Sequence, residues 1–347
     1  MSVFKHIRFW IPILILLAMI IGSYLVPVLN PDFLESGPAY MKDEETGRVT
    51  AAPVYSISEM PPLGSDKLGR NLFIILLAGA KYTLLSAIVI ALLRMTGGFI
   101  TGVLYAFLPR WIRTGAKGLL DTFNFIPLAI VVYILLYPLQ LAFAGGSLPS
   151  FRFLMIEVIM IALIVIPSLG MYVGQGMHDF LKQDFISASR TMGAGRFHLI
   201  RKHLWPYFSR QSIVLFSEQL AQTLLLLVQL GILHITLGGL ITENFGVMEF
   251  IPQYFSVTNE WAATMSINIQ QVFNKPMLLL APLLFFAVSI YCVNQISSVL
   301  RQVLIEGQAV KAGSVEKGGR GQAALSKQSV EDFQFTAGRE RDHRETV

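Results

Sequence analysis

Charge is what this chain has least of. Only 14% of its 347 residues are Asp, Glu, Lys or Arg, against 54% apolar, where soluble domains carry roughly 25% charge. That balance excludes an ordinary soluble domain and puts most of the chain in a lipid bilayer. Cysteine is nearly absent: Cys292 stands alone in an apolar run, which excludes a disulfide framework and a thiolate metal site. His234 has no Cys or His cluster beside it, so no metal is expected. No Gly-x4-Gly-Lys-Ser/Thr loop, His-Glu-x-x-His or Gly-x-Ser-x-Gly occurs, so neither ATP hydrolysis nor these hydrolase chemistries is expected of this chain. No pore repeat or filter motif marks a channel, and no extra domain marks a sensor. The net charge of +5 needs no nucleic acid, because Lys and Arg collect in the cytoplasmic loops of membrane proteins.

What is present is a set of long apolar runs. Six spans are predicted, at about 9–29, 83–108, 119–143, 153–174, 212–237 and 277–300, each near the roughly 20 residues a bilayer requires. The first is too long for a signal-peptide core of about 7–15 residues and reads as a retained span. Apolar sequence begins already at Leu72, which suggests a surface helix leading into the second span. Basic residues set the direction. Lys5 and Arg8, then Arg110, Arg113 and Lys117, then Lys182 to Arg210, then Arg301 fall on one side when both termini are cytoplasmic, as the positive-inside rule requires. Two outside segments, 30–70 and 238–275, are long. The stretch after 305 is Gly-, Ser- and charge-rich, a composition that predicts disorder.

The densest basic loop, 182–206, has a helical pattern. Asp184 can cap a short helix, on which Phe185, Ile186, Ser189 and Met192 share a face. Gly193 suits a left-handed stop. Phe197, Ile200 and Leu204 repeat on a second helix that Pro206 ends. Two readings fit equally: an amphipathic segment lying on lipid headgroups, or a helix docked in a partner's groove.

Three stretches carry a family resemblance. Asp184, then Ser187-Ala188-Ser189, Gly193-Ala194 and Leu204-Trp205-Pro206 resemble the EAA loop of bacterial ABC importer permeases: an acidic residue, Glu-Ala-Ala, a Gly four residues on and a Leu-Pro thirteen after it. Pro62-Leu-Gly-Ser-Asp-Lys-Leu-Gly-Arg70 is similar to the Pro-Leu-Gly-Thr-Asp-x-x-Gly-Arg of the second permease subunit in the dipeptide/oligopeptide/nickel group, and Gly79-Ala80-Lys81 to its Gly-Ala-Arg. Asp121 with Pro127 resembles that subunit's Asp-x5-Pro. The lettering departs where Ser187-Ala188-Ser189 replaces Glu-Ala-Ala and where Ile235-Thr-Leu-Gly-Gly239 faintly echoes Leu-Ser-Phe-Leu-Gly-Leu-Gly.

The resemblance implies an all-α integral membrane protein with six transmembrane helices, the type I ABC importer permease fold with a cytoplasmic coupling (EAA) helix, in a bacterial inner (plasma) membrane. It implies an N-terminal span at 1–30, an extracytoplasmic loop at 31–71, and a core at 72–300 with five spans and the coupling loop at 175–211. A cytoplasmic tail follows at 301–347. It implies that Asp184, Phe185, Ile186, Ser187, Ala188, Ser189, Met192, Gly193, Ala194 and Pro206 couple to an ATPase. The expected partners are a second permease, two ATP-binding cassette subunits that hold ATP and Mg, and an extracytoplasmic receptor. Peptides are the expected cargo, with nickel chelates, sugars or opines as alternatives, and a channel or lipid-lying sensor as the rival class.

Charges inside spans are functional candidates by default. Arg94 could line the pathway or pair with an acid on another helix. Glu218 could do the same, or pair with Arg210. Glu157 reads as an interfacial charge, Asp121 as a cap or anchor, and His234 as a hydrogen-bonded helix residue. Gly97, Gly98 and Gly102 permit close helix approach. Pro127, Pro167 and Pro282 read as static kinks. Trp261 reads as an interfacial anchor, or less readily as a receptor contact.

Overall fold

The computed structural model describes residues 7–31, 41–42, 49–243 and 253–303. The element order is α1 (Ile7–Leu29), a short hairpin of β1 (Met41–Lys42) and β2 (Val49–Ala51), then α2 (Leu72–Ala106), α3 (Arg110–Phe123), α4 (Leu128–Ala144) and α5 (Ser150–Phe180). The loop helices α6 (Asp184–Thr191) and α7 (Arg196–Leu199) follow, then α8 (Trp205–Ile232), a second hairpin of β3 (Leu240–Glu243) and β4 (Gln253–Ser256), α9 (Trp261–Asn268) and α10 (Met277–Arg301). Among the described residues five helices are long and apolar enough to cross a membrane, or six when α3 and α4, bent by 83° at their junction, form one span. The expected tail disorder, at 304–347, lies outside the described residues.

α2 is the axis of the bundle. It runs unbroken for 35 residues, about 52 Å at 1.5 Å per residue. The expected surface helix before the second span is therefore not a separate element. The physical reason lies at its start: the Asn71 side chain caps the first turn by accepting from the Phe73 and Ile74 amides at 3.0 and 3.4 Å, and Leu72 and Leu76 are fully buried. α5 packs along α2 through small residues. A Cβ added at Gly98 would stand 2.9 Å from Leu169, and one at Gly174 2.6 Å from the Gly102 carbonyl oxygen. Gly97, Gly98 and Gly102 thus act in packing inside one subunit.

The third span is shorter than its apolar pattern. α3 and α4 are separate, and Pro127 stands at the N-cap of α4, so it divides two helices rather than kinking one. Pro167 and Pro282 do lie inside α5 and α10. α4 alone, with 17 residues, sits at the lower limit for spanning, roughly 17–25 residues. α3 has no buried residue, and Asp121 on it is exposed and caps no helix.

Part of the segment expected to lie outside, 253–275, packs back into the protein. In α9, Trp261, Ala262, Ala263, Thr264, Met265, Ser266 and Asn268 are all buried. Trp261 is 0% exposed. Its indole N–H donates to the Leu76 carbonyl at 2.7 Å, and its ring meets Phe285 and Phe286 edge-on. It is a core residue, not an interfacial anchor. A helix buried at both ends leaves its terminal amides and carbonyls short of partners. Glu260 supplies the N-terminus, accepting from the Ala262 and Ala263 amides at 2.9 and 2.8 Å. Lys67 supplies the C-terminus, donating to the Ile267 carbonyl at 2.6 Å.

The Pro62–Arg70 stretch gains a physical account from this. Asp66 accepts from the Leu68 and Arg70 amides at 2.9 and 2.8 Å and pairs with the Arg70 guanidinium, so the turn is held rigid. Lys67 then reaches α9. Burial pushes the Lys67 ammonium below its ordinary pKa, with Asp66 opposing. Gly79 is required where α2 meets the chain before α9: a Cβ there would lie 2.7 Å from the Asn259 carbonyl carbon.

Candidate functional site at the Gly193 corner

The loop from 182 to 206 forms helix, Gly corner, helix. α6 starts after Gln183, which makes no side-chain cap, and Asp184 is its first residue. The expected capping by Asp184 is thus replaced by a carboxylate in the first turn, favourable to the helix dipole. The helix ends in a Schellman motif. The Gly193 amide donates to the Arg190 carbonyl at 2.9 Å and the Ala194 amide to the Ser189 carbonyl at 3.0 Å. Gly193 has φ +90, a conformation that costs an L side chain strain and glycine little. α7 follows from Gly195 and passes through a π-helical turn, Ile200–Leu204, directly into α8. Pro206 therefore does not end a helix. It stands in the first turn of α8, immediately after the π-helical turn.

One face of the loop is anchored. Ile186, Leu199 and Leu204 are 0%, 2% and 0% exposed and join a cluster with Met177, Leu181 and Phe208. Phe180 stacks on Tyr207 at 4.4 Å and meets Phe185 edge-on at 5.7 Å. The opposite face projects. Met192 and Phe197 are 82% and 75% exposed, flanked by exposed Asp184, Ser187 and Ala188. The expected apolar faces are therefore split: Ile186 turns inward while Phe185 and Met192 do not, and Phe197 points away from Leu204. Ser189 and Ala194 lie at the margin, and Ser189 Oγ donates back to the Phe185 carbonyl at 3.1 Å. The loop is a rigid knob, fastened from behind and apolar at its tip.

The intramembrane charges take other positions. Arg94 is 0% exposed. It donates to Thr223 Oγ1 at 3.0 Å and to the Ile161 carbonyl at 3.2 Å, tying α2 to α8 and α5, and among the described residues it has no carboxylate partner. Its surface is closed in this conformation, so it offers no face to a solute. Glu218 pairs with Arg301 at the end of α10, not with Arg210, whose Nε donates to the Pro206 carbonyl at 3.2 Å. Glu157 is 1% exposed and accepts from the Gly238 amide at 2.9 Å. It is a buried clamp rather than an interfacial charge. His234 lies past the end of α8 with φ 60 and shares a hydrogen bond with Ser266 at 2.7 Å. Among the described residues no group of His, Cys, Asp and Glu could hold a metal ion.

Sequence reasoning missed Glu260 and its neighbours. Glu260 accepts from the Leu237 amide at 3.3 Å, one residue before the amide that Glu157 holds, and from Thr83 Oγ1 at 3.4 Å. Thr83 also accepts from the Trp261 amide at 3.1 Å. Burial, opposed by these hydrogen bonds, pushes the Glu260 carboxyl up to about 7. The available signal was an Asn-Glu pair, Asn259-Glu260, ahead of a run of small and apolar residues, a helix start in a segment taken as an outside loop.

A bundle of five or six helices long and apolar enough to span a bilayer is the build of a multi-pass membrane protein. The family described as "Binding-protein-dependent transport system inner membrane component" matches residues 98–307. The chain belongs to that family, the permease subunits of ABC importers. Among its relatives, the peptide transport system permease protein SapC of Escherichia coli O6:H1 (strain CFT073) is 24% identical over 246 residues, covering 71% of this chain and 73% of that protein. The dipeptide transport system permease protein DppC of Lactococcus lactis subsp. cremoris is 24% identical over 239 residues, 65% of this chain and 64% of that one. The glutathione transport system permease protein GsiD of Pectobacterium atrosepticum is 25% identical over 246 residues, 70% and 71% of the two chains.

Proposed function

We propose that this chain forms half of the pathway of an ATP-driven peptide importer and is driven through the Gly193 corner. The observation that carries the coupling role is the loop itself: a knob anchored by Ile186, Leu199 and Leu204, with Met192 and Phe197 left uncovered. An apolar tip with no cover among the described residues suits a groove on a partner. The peptide cargo is supported by relatives whose names specify peptides, a dipeptide and glutathione.

In this reading both termini are cytoplasmic, 1–30 and five spans within 72–300 make the membrane unit, and 175–211 is the cytoplasmic coupling segment. A second permease completes the pathway, two ATPase subunits hold ATP and Mg, and a receptor delivers cargo against the outside segments, including 31–71. ATP and the receptor both favour one of the two states of the pathway, and the knob is the lever that joins them. Arg94 is a helix tie in the present state and meets solute only if α2, α5 and α8 part. Glu218, with its Arg301 partner, is the better pathway candidate, because its carboxylate keeps exposed surface.

The test is Ala188→Asp and Gly193→Pro in the assembled transporter. Gly193→Pro forbids the left-handed corner, since proline fixes φ near −65°. Ala188→Asp puts a charge on the projecting face without touching the anchor. Both variants are expected to retain the membrane subunit while losing ATPase binding and uptake by tenfold or more. Full ATPase retention together with normal uptake refutes the coupling role.

A further inference from the structure

α3 presents a basic side to the end of α5. Arg110, Arg113 and Lys117, spaced at i, i+3 and i+7, line a cleft of about 230 Å³ together with His178, Asp179 and Lys182. The carboxylate in this group is already engaged, since Lys182 donates to Asp179 at 2.8 Å. The cations of α3 make no ion pair among the described residues. Arg113 Nε is shut off from solvent and has no hydrogen-bond partner. Positive charge from α3 and Lys182 therefore converges on a space where Asp179 is the one carboxylate among the lining residues.

The other side of α3 indicates where that space lies. Trp111, Leu119 and Phe123 are 76%, 61% and 53% exposed, and no residue of the helix is buried. The helix turns by 83° from α4, so when α4 crosses the bilayer α3 runs along its surface. An amphipathic helix in that plane sinks its apolar side at the headgroup boundary and holds its basic side at the level of lipid phosphates. α5, with 31 residues, is about 46 Å long and extends beyond a hydrocarbon core of about 30 Å. Its last turn, which carries His178, is thereby brought to the same level.

We propose that the cleft between α3 and the C-terminal end of α5 binds the phosphate of an anionic phospholipid headgroup, with Arg113 and Lys117 as its principal donors. Guanidinium and ammonium groups are the natural partners of such a phosphodiester, and an anionic leaflet adds its own attraction. A lipid seated there would pin α3 beside α5, directly before the coupling loop. The inference rests on the membrane orientation proposed above but not on the cargo. Loss of lipid binding with intact uptake would leave the importer reading standing.

The probe is phosphatidylglycerol, counted by native mass spectrometry on the complete transporter after delipidation from nanodiscs of phosphatidylglycerol and phosphatidylcholine. The wild-type complex is expected to retain phosphatidylglycerol preferentially. Arg113→Gln with Lys117→Gln is expected to lose that retention threefold or more. Arg113→Lys with Lys117→Arg restores it if charge is what matters, which separates binding from misfolding. Arg152→Gln, a charge change distant from the cleft in sequence and near the other end of α5, retains it. Equal retention in the neutral variant overturns the proposal. So does displacement of the lipid by inorganic phosphate, which would make free phosphate the occupant. Loss of the ATPase subunits with unchanged lipid retention also overturns it, because the cleft would then serve a protein.

Discussion

Glu260 offers the sharpest test of how this fold is held. Its carboxylate accepts from the amides of Ala262, Ala263 and Leu237 and from the Thr83 hydroxyl, so one side chain caps α9 and fixes the chain leaving α8. Glu260→Ala removes the cap, costing about 0.5–2 kcal/mol, and leaves the Leu237 amide and Thr83 hydroxyl to find new partners at about 1–3 kcal/mol for each that fails. With both unpaired the sum is about 2.5–8 kcal/mol. Glu260→Gln behaves differently, because it keeps the shape and one accepting oxygen but cannot ionise. Burial raises the carboxyl from 4.5 to about 7. The folded state therefore binds a proton that the unfolded state releases between those values, and stability falls as pH rises through that window. From 4.5 to about 7 the loss reaches at most about 3 kcal/mol, and above the folded value it is constant. The Glu157 carboxyl holds the next amide and adds like-charge repulsion when both are ionised.

The consequence is a crossing of two curves. In thermal unfolding of the detergent-solubilised transporter, Glu260→Gln should match the wild type near about pH 4, below the unfolded value, and exceed it by several degrees near about pH 8, taking roughly 2–4 °C per kcal/mol. Glu260→Ala should be less stable at both. A Gln variant destabilised equally at both pH values would refute the reasoning, since it would mean that the hydrogen bonds keep the carboxylate ionised throughout.

Three further outcomes follow from the packing. Arg94→Met replaces a buried cation lacking a carboxylate partner with an apolar side chain of similar length. It should leave stability equal or higher, as replacement of buried charge often does, whereas Arg94→Ala should lower it by about 2–4 kcal/mol through cavity and lost hydrogen bonds; thermal unfolding of both variants checks the order. Gly174→Val forces side chains into the Gly102 backbone, at 2.6 Å for Cβ alone, and should cost about 1–3 kcal/mol or more, read as lower yield of folded protein. Lys67→Met keeps the aliphatic stem but frees the Ile267 carbonyl. It should cost about 1–3 kcal/mol and speed amide hydrogen exchange in α9 while sparing α2 below Leu84.

The spans were legible because lipid imposes a simple rule: long apolar runs, with basic residues gathered on one side. That rule reads length and hydropathy, and it fails where apolar sequence is not in lipid. Leu72 to Leu76 looked like a surface helix because the rule allows only about 20 residues per span, yet Leu72, Ile75 and Leu76 are buried in the protein. The same limit hid α9. Its eight residues are too few to span, and Trp261 mimics a membrane-interface residue, so only the carboxylate at Glu260 and the ammonium at Lys67 reveal a helix buried at both ends. The 182–206 loop was read correctly at Gly193, where local backbone chemistry decides, and incorrectly at Asp184, Phe197 and Pro206, where tertiary contacts decide. Gly193 makes its corner from two hydrogen bonds within five residues. Phe197 points outward because Leu199, the last residue of α7, and Leu204, the last of the π-helical turn, take the places against Met177 and Phe208. That turn shifts the register of the second helix, and no 3.6-residue periodicity anticipates it. The exposure of Phe197 beside buried Leu199 and Leu204 therefore goes with the underwound π-helical turn between α7 and α8. Shortening the turn by deleting one residue between Ile200 and Leu204 should rotate Phe197 inward and blunt the knob while leaving α6 and Gly193 in place. Cysteine-accessibility labelling at a Phe197→Cys site would read that rotation directly, with unchanged labelling as the result that removes the register argument.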